Sequence, residues 1–367
     1  MREIHPDVLS VLQPFVDRGE LAGAVTLVAD RNRILSLETV GYADLETQTP
    51  MRPDALFWVA SQTKPVTATA LMMLVDEGLV DVEDAVEKFL PEFAGQMLVV
   101  ERDEDHVLLR KPSHPIKIRN VLSHTSGLPF LTGVEQPLID GLALRDAAQV
   151  YALLSLQFQP DSDYLYSNIG INIAGRIIEV VSGQSFESFL QQRLFDPLLM
   201  VDTTFWPDAK QLSRLAKAYQ PDARNSGLQE TPIHFLHYPL DDPRRFATPG
   251  GGLFSTASDI ARFCQMILRG GELNGHRYLS AQSVRQMTAR QTAPHLEGYG
   301  LGWSVKDGCF GHGGAYSTQM NIDARRGILT VFLVQHAGFP GNGGASHEAF
   351  QHAVNQHLFT PSPRPVG

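Results

Sequence analysis

SQTKP, Ser61 to Pro65, is the stretch on which the reading of this chain turns. Two local explanations fit it. Ser is a favoured N-cap, so the pentapeptide can be the polar start of an ordinary helix, and a bare S-x-x-K arises by chance in a chain of this length. Alternatively, Ser61 is a nucleophile with its base one turn away. Residues i and i+3 share a helix face at about 5–6 Å between Cβ atoms, so Lys64 can reach the Ser61 hydroxyl. An amine serves as that base only if its pKa falls, and burial beside an apolar helix does this by penalising the ammonium form. Pro65 requires the helix to begin here, because deeper inside it would clash with the preceding turn. A helix mouth also presents N–H groups to developing negative charge.

Working outward, "VTATALMMLVDEG" places apolar residues at helical spacing and stops at Gly78, a plausible C-terminal cap. Upstream, Ala22 to Asp30 and Arg33 to Gly41 are β-rich runs around a short turn and predict an antiparallel hairpin. From Asp81 to Arg245 helical patterns such as "RNVLSH" and "INIAGRIIEVVSG" alternate with polar and Pro-containing loops. "STASDIARFCQMILRGG", Ser255 to Gly271, starts another helix. "GYGLGWSV", "CFGHGG", "STQMNIDA" and "ILTVFLVQHAG" predict short strands, and "SHEAFQHAVNQHLF" a closing helix before a Pro-rich tail, "PSPRPVG", expected to fray. The predicted class is α+β: an antiparallel sheet built from both termini and flanked by helices, with a large, mainly helical insertion. Residues 1–80 and 245–367 are expected to form the sheet domain and 81–244 the helical one, with the active site between them.

With 367 residues, 43% hydrophobic and 19% charged, the chain has the profile of a globular protein with a large core. A formal charge of -10 supplies no basic stripe for a phosphate backbone, which excludes nucleic acid as a partner. No window approaches the roughly 18 apolar residues of a membrane span. The first 23 residues lack the continuous apolar run of a signal peptide, so the chain as written is expected to be cytoplasmic, and periplasmic if a leader has been removed. Cys264 and Cys309 match no metal or redox spacing and are expected to be buried thiols. In "HEAFQH", His347 and His352 lie five apart, which turns the second side chain roughly 140° from the first, so they do not converge on a metal. No serine has the G-x-S-x-G surroundings of a lipase-type elbow. No metal or cofactor is expected.

Two further elements matter. "YLYSNIGINIAG" sets Tyr166-Ser167-Asn168 before a helical run, which reads locally as a packed tyrosine and an Asn cap. "GHGGAYST" sets His312-Gly313-Gly314 at a strand boundary, where paired glycines allow close backbone approach. His124 in "SHTSG" reads as a loop or capping residue, and Trp303, Tyr316 and "HFLHYP" as packing or as pocket lining.

Taken in order, Ser61/Lys64, Tyr166/Asn168 and His312/Gly314 resemble the S-x-x-K, Y-x-N and H-x-G motifs of the penicillin-recognising serine hydrolase superfamily. That superfamily comprises class C β-lactamases, D-alanyl-D-alanine carboxypeptidases, D-aminopeptidases and related esterases. "IRNVLSHTSGLP", "LFDPLLMVDTTF" and "PGGGLFSTASDIARF" are similar to its recurring phrases, and the likeness runs from about residue 20 to 335. The resemblance implies that Ser61 forms an acyl-enzyme and that Lys64 and a Tyr166 phenol hydrogen-bonded to it share the proton transfers. It implies that Asn168 orients Lys64 or binds substrate, and that the N–H groups of Ser61 and Ala315, beside Gly313 and Gly314, form the oxyanion hole. One departure stands out: His312, mostly neutral near pH 7, replaces the lysine whose fixed charge helps β-lactamases bind a carboxylate. The expected function is therefore a carboxylesterase on short acyl esters. The alternatives are a D-alanyl-D-alanine carboxypeptidase, D-aminopeptidase or weak β-lactamase, and, from another class, an inactive binding protein. The expected partner is a small-molecule ester, amide or β-lactam.

Overall fold

The structure is a computed structural model that describes residues 10–359, with side chains to residue 356. The tail "PSPRPVG" lies outside the described residues. The main sheet contains β1 (Gly23–Asp30), β2 (Ile34–Asp44) and β3 (Thr49–Pro50) from one end of the chain. From the other end come β6 (Ser304–Lys306), β7 (Cys309–Gly313), β8 (Gln319–Asp323) and β9 (Ile328–Leu333). The strands run β6-β7-β8-β9-β1-β2-β3, every neighbouring pair antiparallel, so the two ends of the chain meet where β1 pairs with β9. The sheet from both termini is thus as the sequence predicts.

β1 is buried along nearly its whole length because both of its faces are covered. Val25, Leu27 and Ala29 pack into the large core with α6 (Ala257–Leu268). Ala24 and Val28 point the other way, with Phe350 and Val354 of α7 (Ser346–Phe359) and Phe15 of α1 (Gln13–Asp17). Alternate side chains leaving opposite faces make this an unbroken apolar run instead of an alternating one. The large core then continues around α2 (Thr63–Asp76), whose residues are buried on every side from Thr63 to Leu74, as befits a central helix. Against α2 lies α5 (Asn168–Ser182), with α3 (Ile118–Ser123) and α4 (Leu144–Ala152) packed on α5 in turn.

A two-residue ladder delivers the chain to the site. β4 (Phe57–Trp58) pairs with β5 (Phe254–Ser255), and Val59 N–H donates to Leu253 O at 3.0 Å. The chain then makes a 3-10 turn, Ala60–Gln62, and enters α2.

Three local expectations need correction. The stretch from Asp81 to Arg245 also holds two hairpins, Leu98–Arg102 with Val107–Arg110 and Tyr219–Pro221 with Leu228–Glu230. The strand Val107–Arg110 is exposed at every residue, so it carries none of the in-out alternation by which a strand is recognised. Of "GYGLGWSV" only Ser304–Lys306 is strand, because the N–H groups of Leu301 and Gly302 bond to Met287 O and Leu122 O instead of a sheet neighbour. Cys264 is buried, its thiol 3.7 Å from Met320 Sδ, whereas Cys309 is only partly covered.

Candidate active site

Ser61 stands in the 3-10 turn, partly exposed, while its neighbours Ala60 and Gln62 are buried. The turn is locked from within: Thr63 Oγ1 donates to Ala60 O at 2.6 Å and accepts from Leu253 N–H at 3.1 Å. Ala60 has φ +47, a left-handed conformation that a non-glycine residue adopts at a cost of about 1–2 kcal/mol, and it immediately precedes Ser61. The helix proper begins at Thr63, so the capping explanation of Ser61 fails: the N-cap is Gln62, with no side-chain cap bond. Pro65 lies in the first turn, where its missing N–H is not needed.

Lys64 extends from that turn into the interior and is 0% exposed. Its Nζ lies 3.0 Å from Ser61 Oγ, 2.6 Å from Asn168 Oδ1 and 2.6 Å from Gly250 O. Burial holds its pKa well below the ordinary lysine value. A neutral amine has two N–H groups and one lone pair. Asn168 Oδ1 and Gly250 O can only accept, so they take both N–H groups and leave the lone pair for the Ser61 hydroxyl. The same three directions that would satisfy an ammonium therefore turn the lone pair of a neutral amine toward Ser61.

Asn168 owes its place to its neighbour. The helix cap expected from Asn168 is supplied by Ser167, whose hydroxyl accepts from Gly170 N–H at 3.1 Å and donates to Pro129 O at 2.6 Å. Asn168 is thereby the first residue of α5, 5% exposed, with its amide free to face Lys64. On the other side of the cap, Tyr166 presents its ring to Lys64, with Nζ 4.6 Å from the centroid. Burial raises its phenol pKa above the ordinary value, and the neighbouring Ser61 side chain lowers it in part. The Tyr166 contact with Lys64 is thus through the ring face, with its hydroxyl beside Ser61. Phe130 stacks on the ring, centroids 6.0 Å apart, and His124 lies against it at 4.5 Å.

His124 does end α3 in a left-handed conformation, as a cap. It is also buried in the site, with Nδ1 accepting from Ser167 N–H at 3.1 Å. Burial, with Lys64 and His312 adding to it, holds its pKa well below the ordinary histidine value.

His312 comes from β7, whose end packs on the Ala60–Gln62 turn. Its Nδ1 is 2.7 Å from Gly313 O, an acceptor only, so Nδ1 carries the proton; Nε2 then accepts from Tyr299 Oη at 2.8 Å. Burial and the nearby Lys64 push its pKa down to about 3. The ring lies 6.1 Å from that of Tyr166. Gly314 and Ala315 follow in a tight turn, Ala315 exposed. A Cβ on Gly314 would lie 2.6 Å from Val59 O, so only glycine lets this turn close on the segment leading to Ser61.

The residues singled out in the sequence are thus gathered at one place, and two contributors were missed. Tyr299 occurs in "GYGLGW", where nothing marks it apart from packing aromatics. Gly250 contributes a backbone carbonyl, for which a side-chain motif carries no signal. Trp303 and Tyr316 belong to the core, Trp303 stacked on Phe263 at 5.8 Å and Tyr316 edge-on to Trp58 at 5.3 Å. Among the described residues no group of three or more His, Cys, Asp or Glu side chains could hold a metal ion, and no helix is long and apolar enough to cross a membrane.

Residues 8–353 match the family described as Beta-lactamase. The chain is 33% identical to Protein Rv1367c of Mycobacterium tuberculosis (strain H37Rv) over 87% of each chain. It is 28% identical to Esterase EstB of Burkholderia gladioli over 91% of each. In fold it is similar to simvastatin synthase (LovD) from Aspergillus terreus, with TM-score 0.82, 20% identity, and 96% and 98% of the two chains covered.

Proposed function

The chain belongs to the beta-lactamase family and is a serine hydrolase of that fold, and from this premise we propose that it is a carboxylesterase acting on short acyl esters. Catalysis proceeds through an acyl-enzyme on Ser61. Lys64, as the neutral amine, takes the Ser61 proton while the oxygen attacks the ester carbonyl. Tyr166, kept protonated by burial, gives its proton to the departing alkoxide and is reprotonated from the Lys64 ammonium, which returns to the neutral amine. The N–H groups of Ser61 and Ala315 receive the developing oxyanion, each donor contributing about 2.7–4 kcal/mol in such sites. Water then repeats the attack with Lys64 as base, regenerating Ser61. Asn168 holds Lys64, and His312 with Gly313 and Gly314 forms the substrate-side edge. The same reading takes residues 1–80 with 245–367 as one domain and 81–244 as the other, the site lying between them. Ser61, Lys64 and His312 come from the first and Tyr166 and Asn168 from the second.

The observation that carries the ester preference is His312. It is buried, both ring nitrogens are engaged with Gly313 O and Tyr299, and its pKa of about 3 leaves it uncharged at neutral pH. A neutral group here gives a substrate carboxylate no fixed cation, which disfavours β-lactams and peptides with a free C-terminus and costs a plain ester nothing. The esterase name of the Burkholderia gladioli relative points the same way. The test is one substrate panel: p-nitrophenyl butyrate, its longer-chain homologues, nitrocefin and a D-alanyl-D-alanine peptide. The expected kcat/KM is highest for the butyrate. Turnover confined to nitrocefin or to the peptide would overturn the assignment.

A further inference from the structure

Lys64 is aimed by Gly250 O as much as by Asn168, and nothing in the motif residues explains why a glycine carbonyl in a loop should hold still. The explanation lies deeper in the protein. Asn172, one turn beyond Asn168 on α5 and 3% exposed, accepts from Gly250 N–H through Oδ1 at 2.9 Å. Its Nδ2 donates to Tyr151 Oη at 2.9 Å, with Glu135 Oε1 at 3.4 Å. Tyr151 Oη in turn donates to Glu135, which is 3% exposed and also accepts from Thr132 N–H and Thr132 Oγ1 at 3.0 and 2.9 Å. Every partner of the Glu135 carboxylate is a donor, so its oxygens can only draw N–H or O–H groups toward themselves. That fixes the amide of Asn172, with nitrogen toward Tyr151 and Glu135 and oxygen toward Gly250.

The loop is fastened at successive points. Pro249 O accepts from Thr67 Oγ1 at 2.9 Å, Gly250 N–H goes to Asn172, and Gly251 O accepts from the indole of Trp58 at 2.8 Å. With both sides of the Pro249–Gly250 peptide held, the next carbonyl is left facing Lys64. The helix is cut to fit: Asn168, Asn172 and Gly175 recur at i, i+4 and i+7 on one face. A Cβ at Gly175 would lie 2.2 Å from the Pro249 ring, so its absence lets the loop settle against α5.

We infer that Asn172, oriented by Tyr151 and Glu135, is a positioning residue for the reaction: it holds the Gly250 carbonyl that directs the Lys64 lone pair at Ser61. The inference rests on the reading of Lys64 as the base. Asn172 touches no reacting atom, and its effect passes through Gly250.

The test compares the full chain with Asn172→Ala, Tyr151→Phe and Lys64→Ala, measuring kcat and KM for p-nitrophenyl butyrate across pH. In Asn172→Ala the loop carbonyl is released. kcat should fall roughly 10-fold to 100-fold from misalignment, with KM unchanged within about threefold. The rising limb of the pH profile should also move to lower pH, because a carbonyl accepting from the ammonium favoured the charged form and has been lost. Tyr151→Phe should fall between, since Asn172 Nδ2 keeps Glu135 within reach. A folded Asn172→Ala with wild-type kcat, or with a lower kcat and an unmoved limb, overturns the inference. Should that variant not fold, Tyr151→Phe decides alone: wild-type kcat with an unmoved limb is fatal. Activity retained in Lys64→Ala overturns the base reading itself. Activity lost there beside an unmoved limb in the network variants overturns the positioning role alone.

Discussion

Exchanging Asn168 for aspartate tests the electrostatics of the site with almost no change of shape. In the wild-type protein a neutral amide oxygen lies 2.6 Å from Lys64 Nζ. Asn168→Asp puts a carboxylate there instead. Two unit charges at that distance interact by about 6 kcal/mol at an effective dielectric constant near 20. Desolvating the new carboxylate offsets roughly half of this, which leaves about 3 kcal/mol in favour of the ammonium. The ratio of the neutral amine, the only form with a lone pair for Ser61, to the ammonium therefore falls about 100-fold, since each 1.4 kcal/mol is a factor of ten. On the reading of Lys64 as the base it must lose its proton to act, so activity should rise with pH through its pKa. That pKa is depressed by burial in the wild type, which places the rising limb below the ordinary lysine range. In Asn168→Asp the limb should move up by about 2 pH units, with kcat/KM for p-nitrophenyl butyrate up to about 100-fold lower below the shifted limb and recovering toward alkaline pH. Asn168→Ala, which removes an acceptor from the ammonium, should move the limb the other way. A limb in Asn168→Asp that coincides with the wild-type one would refute Lys64 as the titrating base.

The remaining predictions concern the groups around that pair. Tyr166→Phe keeps the ring against His124 and Phe130 and removes only the hydroxyl that meets Ser61, so kcat should fall about 10²- to 10⁴-fold with the thermal melting curve unchanged; retained activity contradicts its proton-transfer role. The His312 imidazole, held neutral with a pKa of about 3, should show no titration between about pH 5 and 8 in nitrogen-correlated NMR spectra, and a midpoint near 6.5 would contradict its burial. His312, His336 and His347 all have pKa values lowered by burial, to about 3, about 4 and about 4. Their stabilising contribution is fully present above the unfolded value near 6.5 and is lost as pH falls toward the folded values. Each buried histidine removes up to about 1.4 kcal/mol per pH unit in that window. The urea midpoint should therefore drop steeply between pH 6.5 and 4; a midpoint constant over this range would be the contrary result.

How much of this was legible beforehand depends on what each residue does. The sheet could be read because β7, β8 and β9 are short apolar runs punctuated by turn residues, and the first hairpin because β-rich segments flank a two-residue turn. The fully exposed Val107–Arg110 strand could not, since burial writes the pattern that identifies a strand. In the site, Ser61 and Lys64 are suggested by their spacing, and Tyr166, Asn168 and His312 only by the resemblance of the three motifs, in order, to those of a known family. The local explanations offered beside them were wrong in an instructive way. Ser61 caps nothing, and Ser167, not Asn168, caps α5, so both candidate capping residues have side chains free for Lys64. Side-chain motifs could not reveal the Gly250 carbonyl, a backbone group, nor the left-handed φ of Ala60, a residue type with no local preference for it. Asn172 had a signal that was present and unused: the Asn168, Asn172, Gly175 spacing in "NIGINIAG" marks one face of a helix.

The central claim is that Ser61 is the nucleophile of an acyl-enzyme. Intact-mass spectrometry after incubation with a fluorophosphonate tests it most directly. The account predicts one adduct per chain, located on Ser61, and none in Ser61→Ala. A wild-type protein that stays unlabelled, or a Ser61→Ala protein that labels as fully as the wild type, would contradict it.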